Sequence, residues 1–341
     1  MSEIRILPDY NQITPLELET IFSPIKQEIR ALEKWLRKWS DHSLPVIKIM
    51  SKKVMASPGK LIRPGLLLLV AKHLGYEAED KIKLAATVEV IHTASLIHDD
   101  IIDNSTIRRG RKTAVLNFGP DFSLLLGDYL FIRSIGKSLS LSNKNLTLIL
   151  TRVAEEMVEG EIEELSQSFN FDLTENQYYQ IINKKTAGLF RATAELACYL
   201  ARAKEKDKKS LISYGRYLGQ TFQITDDLLD LIGNSTSTGK NKFSDLKEGR
   251  VTLPLILALK NLTPEEKKFW RSQLEKFKSE PAEVSPSAIL SLMEKTGSLE
   301  QTFKKAEEKA KQAKKAAGQL ADTIYRRSLL ELVDFVLYRN K

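Results

Sequence analysis

Apolar residues recur every three to four positions along most of the chain, as in "LETIFSPIKQEIRALEKWLRKW", "LAATVEVIHTASLIHDDIID", "LISYGRYLGQTFQITDDLLDLI" and "SLLELVDFVLYRN". This spacing lines apolar side chains along one face of a helix, whereas a half-buried strand would alternate them, and no convincing alternating run occurs. An all-α fold is predicted. Gly and Pro gather at the joints, in "SPGKLIRPG", "NFGPDF" and "SEPAEVSPS", and Pro24 inside the first amphipathic stretch predicts a kink or two shorter helices. Stretches 84–102 and 213–232 are apolar around much of their circumference, as expected of helices at the centre of a bundle. No Pro/Ser-rich linker divides the chain, so residues 1–341 read as one domain, a single large helical bundle with an inner layer.

Composition narrows the setting. The chain has 341 residues and 42% apolar content, enough for a substantial core. The opening "MSEIRILPDYNQ" lacks both a basic start and an apolar run, so export is not expected. The strongest apolar run, "GLLLLVA" at 65–71, is too short to span a bilayer. Cys198 is the only cysteine, which excludes an intramolecular disulfide and any multi-cysteine metal site and fits a reducing, cytoplasmic location. The net charge of +8, from 52 basic and 44 acidic residues, suits nucleic acid, anionic lipid or a phosphorylated small molecule equally. The basic runs "KEKDKKS" and "FKKAEEKAKQAKKAAGQ" read as solvated surface.

Candidate chemistry lies in the carboxylates. In "HDDIIDNSTIRRGRKT", residues 98–113, Asp99 and Asp103 stand four apart and share a helical face, with Asp100 beside them. Asp226, Asp227 and Asp230 in "DDLLD" repeat the pattern. Two carboxylates about 4 Å apart repel by roughly 4 kcal/mol at an effective dielectric near 20, so cations are expected between them. Helix caps or surface ion pairs would explain one such cluster, but two matched clusters on apolar helices point to a bound metal. Oxygen-only ligands without a His/Cys cluster favour a hard cation, and Mg²⁺ suits sparse carboxylates that leave room for phosphate oxygens; neither segment offers the continuous loop of a calcium EF-hand. Arg108 and Arg109 follow at once, and planar guanidinium groups bind phosphate oxygens in pairs. Diphosphate is the expected guest. His92, seven residues before Asp99, reads either as a satisfied core histidine or, by its helical phase, as a ligand.

These residues carry a resemblance. The chain resembles a trans-isoprenyl diphosphate synthase of the bacterial long-chain polyprenyl type, such as an octaprenyl diphosphate synthase, through "GKLIRP", "DDIID" with its arginine pair, "KKTAGLF" and "DDLLD", all in the family's order. The resemblance implies a central apolar tunnel within the bundle. Lys60, Arg63, His92 and Arg109 are then expected to grip the diphosphate of isopentenyl diphosphate. Asp99, Asp103, Asp226, Asp227 and Asp230 are expected to carry Mg²⁺, with Asp100 a further catalytic residue of the first motif. Arg108, Lys185, Thr186, Gln223 and Lys240 are expected to contact the allylic diphosphate. The implied reaction needs no protein nucleophile: diphosphate leaves C1 of the allylic substrate, the isopentenyl double bond attacks the cation, and a proton is lost, in the family to the departing diphosphate. The loop "NSTSTGKNKFSDLKEGR" is a plausible lid. Departures from the family pattern are Pro58 before Gly59, Leu61 where an Arg is usual, Asn241 and Phe243 in place of Pro and Gly, and Arg250 in place of Lys.

In such enzymes the depth of the tunnel below the first aspartate motif sets product length. Ala94 and Ser95, one turn from Asp99, are small and leave it open; Ile91, Val90, Leu130 and Phe131 are later gates or floor. One C5 unit is about one helix turn long, so a floor two to four turns down would allow several additions; a product beyond C20, roughly C30 to C45, is expected. The alternatives are a farnesyl or geranylgeranyl diphosphate synthase, a non-catalytic partner subunit or basic nucleic-acid-binding bundle, which would not need both aspartate motifs, and a terpene cyclase, which would leave Lys60, Arg63 and His92 without a second diphosphate. A homodimer is expected, with no nucleic-acid partner, no membrane span and at most transient membrane contact for product release.

Overall fold

The helices follow the apolar periodicity. The computed structural model describes residues 17–56, 59–108, 110–141, 143–233, 243–280 and 284–339. Around Pro24 the predicted interruption is present: α1 (Leu18–Ile21) ends in a 3₁₀ turn at Ser23–Ile25 before α2 (Lys26–Trp39) begins. Next come α3 (Pro45–Met55), α4 (Ile62–His73) and α5 (Asp80–Ile102). They are followed by α6 (Ala114–Phe118), α7 (Pro120–Leu139), α8 (Lys144–Ser166) and α9 (Glu175–Ile182). A π-helical segment, Asn183–Ala187, leads into α10 (Gly188–Leu200), and α11 (Glu205–Ile232) is the longest element.

The two stretches read as central, 84–102 in α5 and 213–232 in α11, are largely buried, and on α4 every residue from Ile62 to Ala71 is buried as well. Helix α5 lies between α4 and α7, α10 packs on both α4 and α11, and α11 is backed by the Ser298–Ala317 and Ile324–Tyr338 helices. One buried apolar cluster runs from Ile21 to Leu337. At about 25 cal/mol per Å² of apolar surface, such burial is the main force holding the helices together. No helix among the described residues is long and apolar enough to cross a membrane.

One local element departs from the all-helical expectation. After the first aspartate motif the chain makes a two-residue ladder, Ile107–Arg108 against Arg111–Lys112, with Gly110 at φ +70° in the turn. Alternation cannot be read in strands this short, and a non-glycine residue at that φ would be strained. The hairpin sends Arg108 back onto α5.

Candidate active site

A cavity of about 770 Å³ opens among α4, α5, α8 to α11 and residues 245–252, within the size range of small-molecule sites. It has a cationic side. The backbone enters α4 through Leu61, held left-handed at φ +53°, a region rarely used by non-glycine residues; Lys60 and Arg63 flank this turn and line the cavity. The Lys60 ammonium stands 5.4 Å from the Phe335 ring. The Arg63 guanidinium lies over Phe190 and Phe222, 4.5 and 5.5 Å from their centroids, and meets His92 Nε2 at 3.1 Å. Since guanidinium only donates, His92 Nε2 is the acceptor in this contact.

The acidic side is built by α5. Asp99 and Asp103 line the cavity, whereas Asp100, one residue round the helix, is buried and accepts from Arg108 Nε at 2.6 Å. The hairpin thus uses Asp100 to aim Arg108, itself in the cavity wall. Burial raises the Asp99 carboxyl above its usual range, against the opposing pull of Lys185 and Arg108. The Asp103 carboxylate pairs with Arg250.

The second motif does not repeat the first. Asp226 pairs with Arg339 at 2.6 Å. Asp227 is 2% exposed and accepts from Tyr178 Oη at 2.5 Å and from Gln223 Nε2 at 2.8 Å. Burial, then the nearby Asp245, drives its carboxyl well above the ordinary range, and the Tyr178 and Gln223 hydrogen bonds pull the other way. Asp230 caps the short helix Ser244–Lys247, accepting from the backbone N–H groups of Ser244 at 3.1 Å and Asp245 at 3.3 Å and from the Ser244 hydroxyl. Matched spacing in sequence therefore becomes three different environments, because neighbours from α9, the C-terminus and the 243–250 segment each claim one carboxylate.

Lys185 and Thr186 sit on the π-helical segment, a form frequent at functional sites. Its close packing on α8 requires Gly160, where an added Cβ would come within 2.6 Å of the Lys185 amide nitrogen. Lys185 pairs with Glu161 and Glu164 of α8. Burial disfavours its ammonium, but Glu164, Glu161 and Asp99 outweigh that, so its pKa is raised. Thr186 donates to Gln223 Oε1 at 2.6 Å, extending a chain from Thr186 through Gln223 to Asp227.

Of the residues expected from sequence, Lys60, Arg63, His92, Ser95, Asp99, Asp103, Arg108, Lys185, Thr186, Gln223, Asp226, Asp227 and Asp230 all line this one cavity. Ala94 is fully buried and Asp100 sits behind Arg108; neither lines it. Arg109, Lys240, Pro58, Asn241 and part of the expected lid lie outside the described residues. The usual glycine replaced by Phe243 has a reason here: its backbone is left-handed, at φ +63°. Sequence reading missed Glu161, Glu164, Tyr178, Asp245 and Arg339, which also contact the aspartates or their cations. Glu161 and Glu164 are three apart beside Gly160, but Glu155, Glu156, Glu159 and Glu163 on the same helix hide them.

The donor set is all oxygen, as a hard divalent cation requires. Among the described residues, however, no three His, Cys, Asp or Glu side chains already stand as a metal cluster; Arg250, Lys185 and Arg339 draw the carboxylates toward themselves.

A family model described as polyprenyl synthetase matches residues 45–293. The octaprenyl diphosphate synthase of Escherichia coli is 35% identical over 326 residues, 96% of this chain and 100% of that protein. A polyprenyl synthase from Caulobacter crescentus, solved in complex with calcium and isoprenyl diphosphate, superposes with a TM-score of 0.90 at 31% identity, covering 96% of this chain and 100% of that one. A decaprenyl diphosphate synthase from Rhodobacter capsulatus gives 0.88 at 35% identity over 95% and 100% of the two chains. With its motifs, its helical fold and relatives matched over nearly their whole length, the chain belongs to the polyprenyl synthetase family of prenyltransferases.

Proposed function

We propose that this protein condenses isopentenyl diphosphate with an allylic diphosphate, 1'-4 and head to tail, to make a long-chain all-trans polyprenyl diphosphate. One observation carries the reading: a single cavity has two aspartate motifs and a separate cationic group at its walls, with apolar residues such as Leu96, Met157 and Leu189 between and behind them. Two diphosphates and a hydrocarbon chain match that lining.

Lys60, Arg63 and His92, with Arg109, hold the diphosphate of the isopentenyl substrate. Arg108 and Lys185, with Lys240 as the family pattern implies, bind the allylic diphosphate, and Thr186 and Gln223 add hydrogen bonds. Mg²⁺ fits the oxygen donors Asp99, Asp103, Asp226, Asp227 and Asp230, and when bound would supply positive charge to the leaving diphosphate. The carbon–oxygen bond at C1 breaks with its electron pair leaving on diphosphate, where Arg108 and Lys185 stabilise the charge. The isopentenyl double bond then forms the new carbon–carbon bond, and the proton lost passes to the departing diphosphate. The apolar wall excludes water while the cation exists. The name of the octaprenyl relative, a C40 product, and the small Ala94 and Ser95 support a product beyond C20, roughly C30 to C45.

The test is incubation with farnesyl diphosphate, labelled isopentenyl diphosphate and Mg²⁺, with products resolved by chromatography. Products longer than C20 are expected, with no turnover in EDTA; a product series ending at C20 or below overturns the long-chain reading. The enzyme is expected to act as a cytoplasmic homodimer.

A further inference from the structure

Arg250 pairs with four acidic side chains. Its guanidinium pairs with Asp103 at the end of α5, with Glu164 of α8 at 3.2 Å, and with Asp245 and Glu248 of its own segment at 3.3 and 2.6 Å. Three separate parts of the chain are thereby tied at one planar group, mostly buried, at the wall of the cavity. Only arginine has five donors in a fixed fork, so the lysine usual at this position would not bridge the same set.

This arrangement places a positive charge where the first aspartate motif would receive a divalent cation. We propose that Arg250 is an internal stand-in for that cation: it keeps Asp103 and Glu164 engaged in the free protein and releases them when a diphosphate offers the guanidinium new oxygens. The first motif then takes up a divalent cation together with diphosphate in preference to the cation alone. The physical reason is the cost of an unpaired buried charge. A metal ion arriving alone must displace Arg250 from Asp103 and leave the guanidinium short of partners in a site largely shielded from water, and the two cations repel each other there. A diphosphate arriving with the metal gives the guanidinium paired oxygen acceptors in exchange. Asp245 and Glu248 travel with Arg250, so the exchange also loosens residues 243–250 from α5 and α8.

The inference rests on reading the aspartate motifs as a metal and diphosphate site, and its test separates the two. The full-length protein is titrated with Mn²⁺ alone, followed by electron paramagnetic resonance, and with radiolabelled inorganic pyrophosphate at saturating Mg²⁺, followed by equilibrium dialysis. In Arg250→Gln, Mn²⁺ alone is expected to bind at least five-fold more tightly and pyrophosphate at least ten-fold more weakly, with Arg250→Lys between Gln and wild type on both. Loss of a merely structural residue would weaken both, so affinities that fall together, or do not move, overturn the proposal. Hydrogen exchange on the unaltered protein gives a second readout: amides of 244–250 are expected to change protection with Mg²⁺ plus pyrophosphate and not with Mg²⁺ alone, and equal changes under both conditions also overturn it. Failure of the unaltered protein to bind pyrophosphate with Mg²⁺ sinks the underlying site reading instead.

Discussion

Single side chains in this protein owe their state to what surrounds them. Asp227 remains in a nearly dry position because Tyr178 and Gln223 both donate to it. Removing one donor in Tyr178→Phe leaves a buried acceptor short of a partner, which costs about 1–3 kcal/mol; urea denaturation of the variant is expected to show a loss of that size, while Tyr179→Phe, next in sequence and not bonded to Asp227, loses less. Cys198 is pushed up to about 12 by burial, so its thiolate is scarce at neutral pH. Ellman's reagent at pH 8 is expected to leave native protein unmodified and to label one thiol per chain in guanidinium. At the expected first gate, Ala94→Phe should shorten the longest product under the farnesyl diphosphate assay. Because Ala94 is fully buried and not itself in the cavity wall, an aromatic there acts by displacing Ser95 and Leu96, and an unchanged product series would remove it as a gate.

At the level of elements, close approach decides where Lys185 stands. A Cβ at Gly160 would meet the Lys185 amide nitrogen at 2.6 Å, and one at Gly219 would meet the Ala187 Cα at 2.6 Å. The π-helical segment is therefore held from both sides by glycines of α8 and α11. Either Gly→Ala change forces the backbone apart, an overpacking that costs about 1–3 kcal/mol. Thermal unfolding should report it for both, and Gly160→Ala should also raise KM for the allylic substrate more than for isopentenyl diphosphate. Elsewhere, His73 at the end of α4 meets the Thr323 hydroxyl at 2.8 Å, and that hydroxyl also caps the Ile324–Tyr338 helix by accepting from the Arg326 N–H. Burial lowers the His73 pKa below its ordinary value, with Arg326 pulling the same way against Asp207. The unfolded chain thus binds this proton more readily, so the contribution to stability is present above the unfolded pKa and is lost as pH falls below about 6.5. His73→Gln is expected to flatten the dependence of Tm on pH between about 7 and 5.

For the molecule as a whole, the largest question is its surface. Helix α7 exposes Phe122, Leu125, Ile132 and Leu139, and α8 exposes Leu148, Val158, Ile162 and Leu165; the two helices pack together. Leu125, Ile132 and Leu139 are seven residues apart and form one stripe. Apolar stripes of this kind on adjacent helices mark an interaction face, and a second copy of the chain is the expected occupant, as in an isologous dimer. Sedimentation is expected to give a dimer, and Leu125→Glu with Ile132→Glu a monomer; a monomeric unaltered protein would contradict this.

Much of this was legible in the amino-acid order. The 3.6-residue period determined the helices, Pro24 marked the break between α1 and α2, and apolar character around much of the circumference marked α5 and α11 as interior. These are local properties, because a helix chooses its buried face from residues within a few turns. Charge spacing marked the two aspartate motifs and the arginine pair, and the family resemblance added Lys60, Arg63, Lys185 and Thr186. What each does at the cavity was decided by tertiary structure. Asp99 and Asp100 are neighbours, yet one lines the cavity and the other aims Arg108; Asp226, Asp227 and Asp230 share a motif, yet Arg339, Tyr178 and the Ser244 turn each take one. Arg339, Arg250, Glu161 and Glu164 reach the same carboxylates from distant parts of the chain. Coulomb interaction depends on distance in space, which periodicity along one helix cannot specify, and only the packing of these helices brought those charges together.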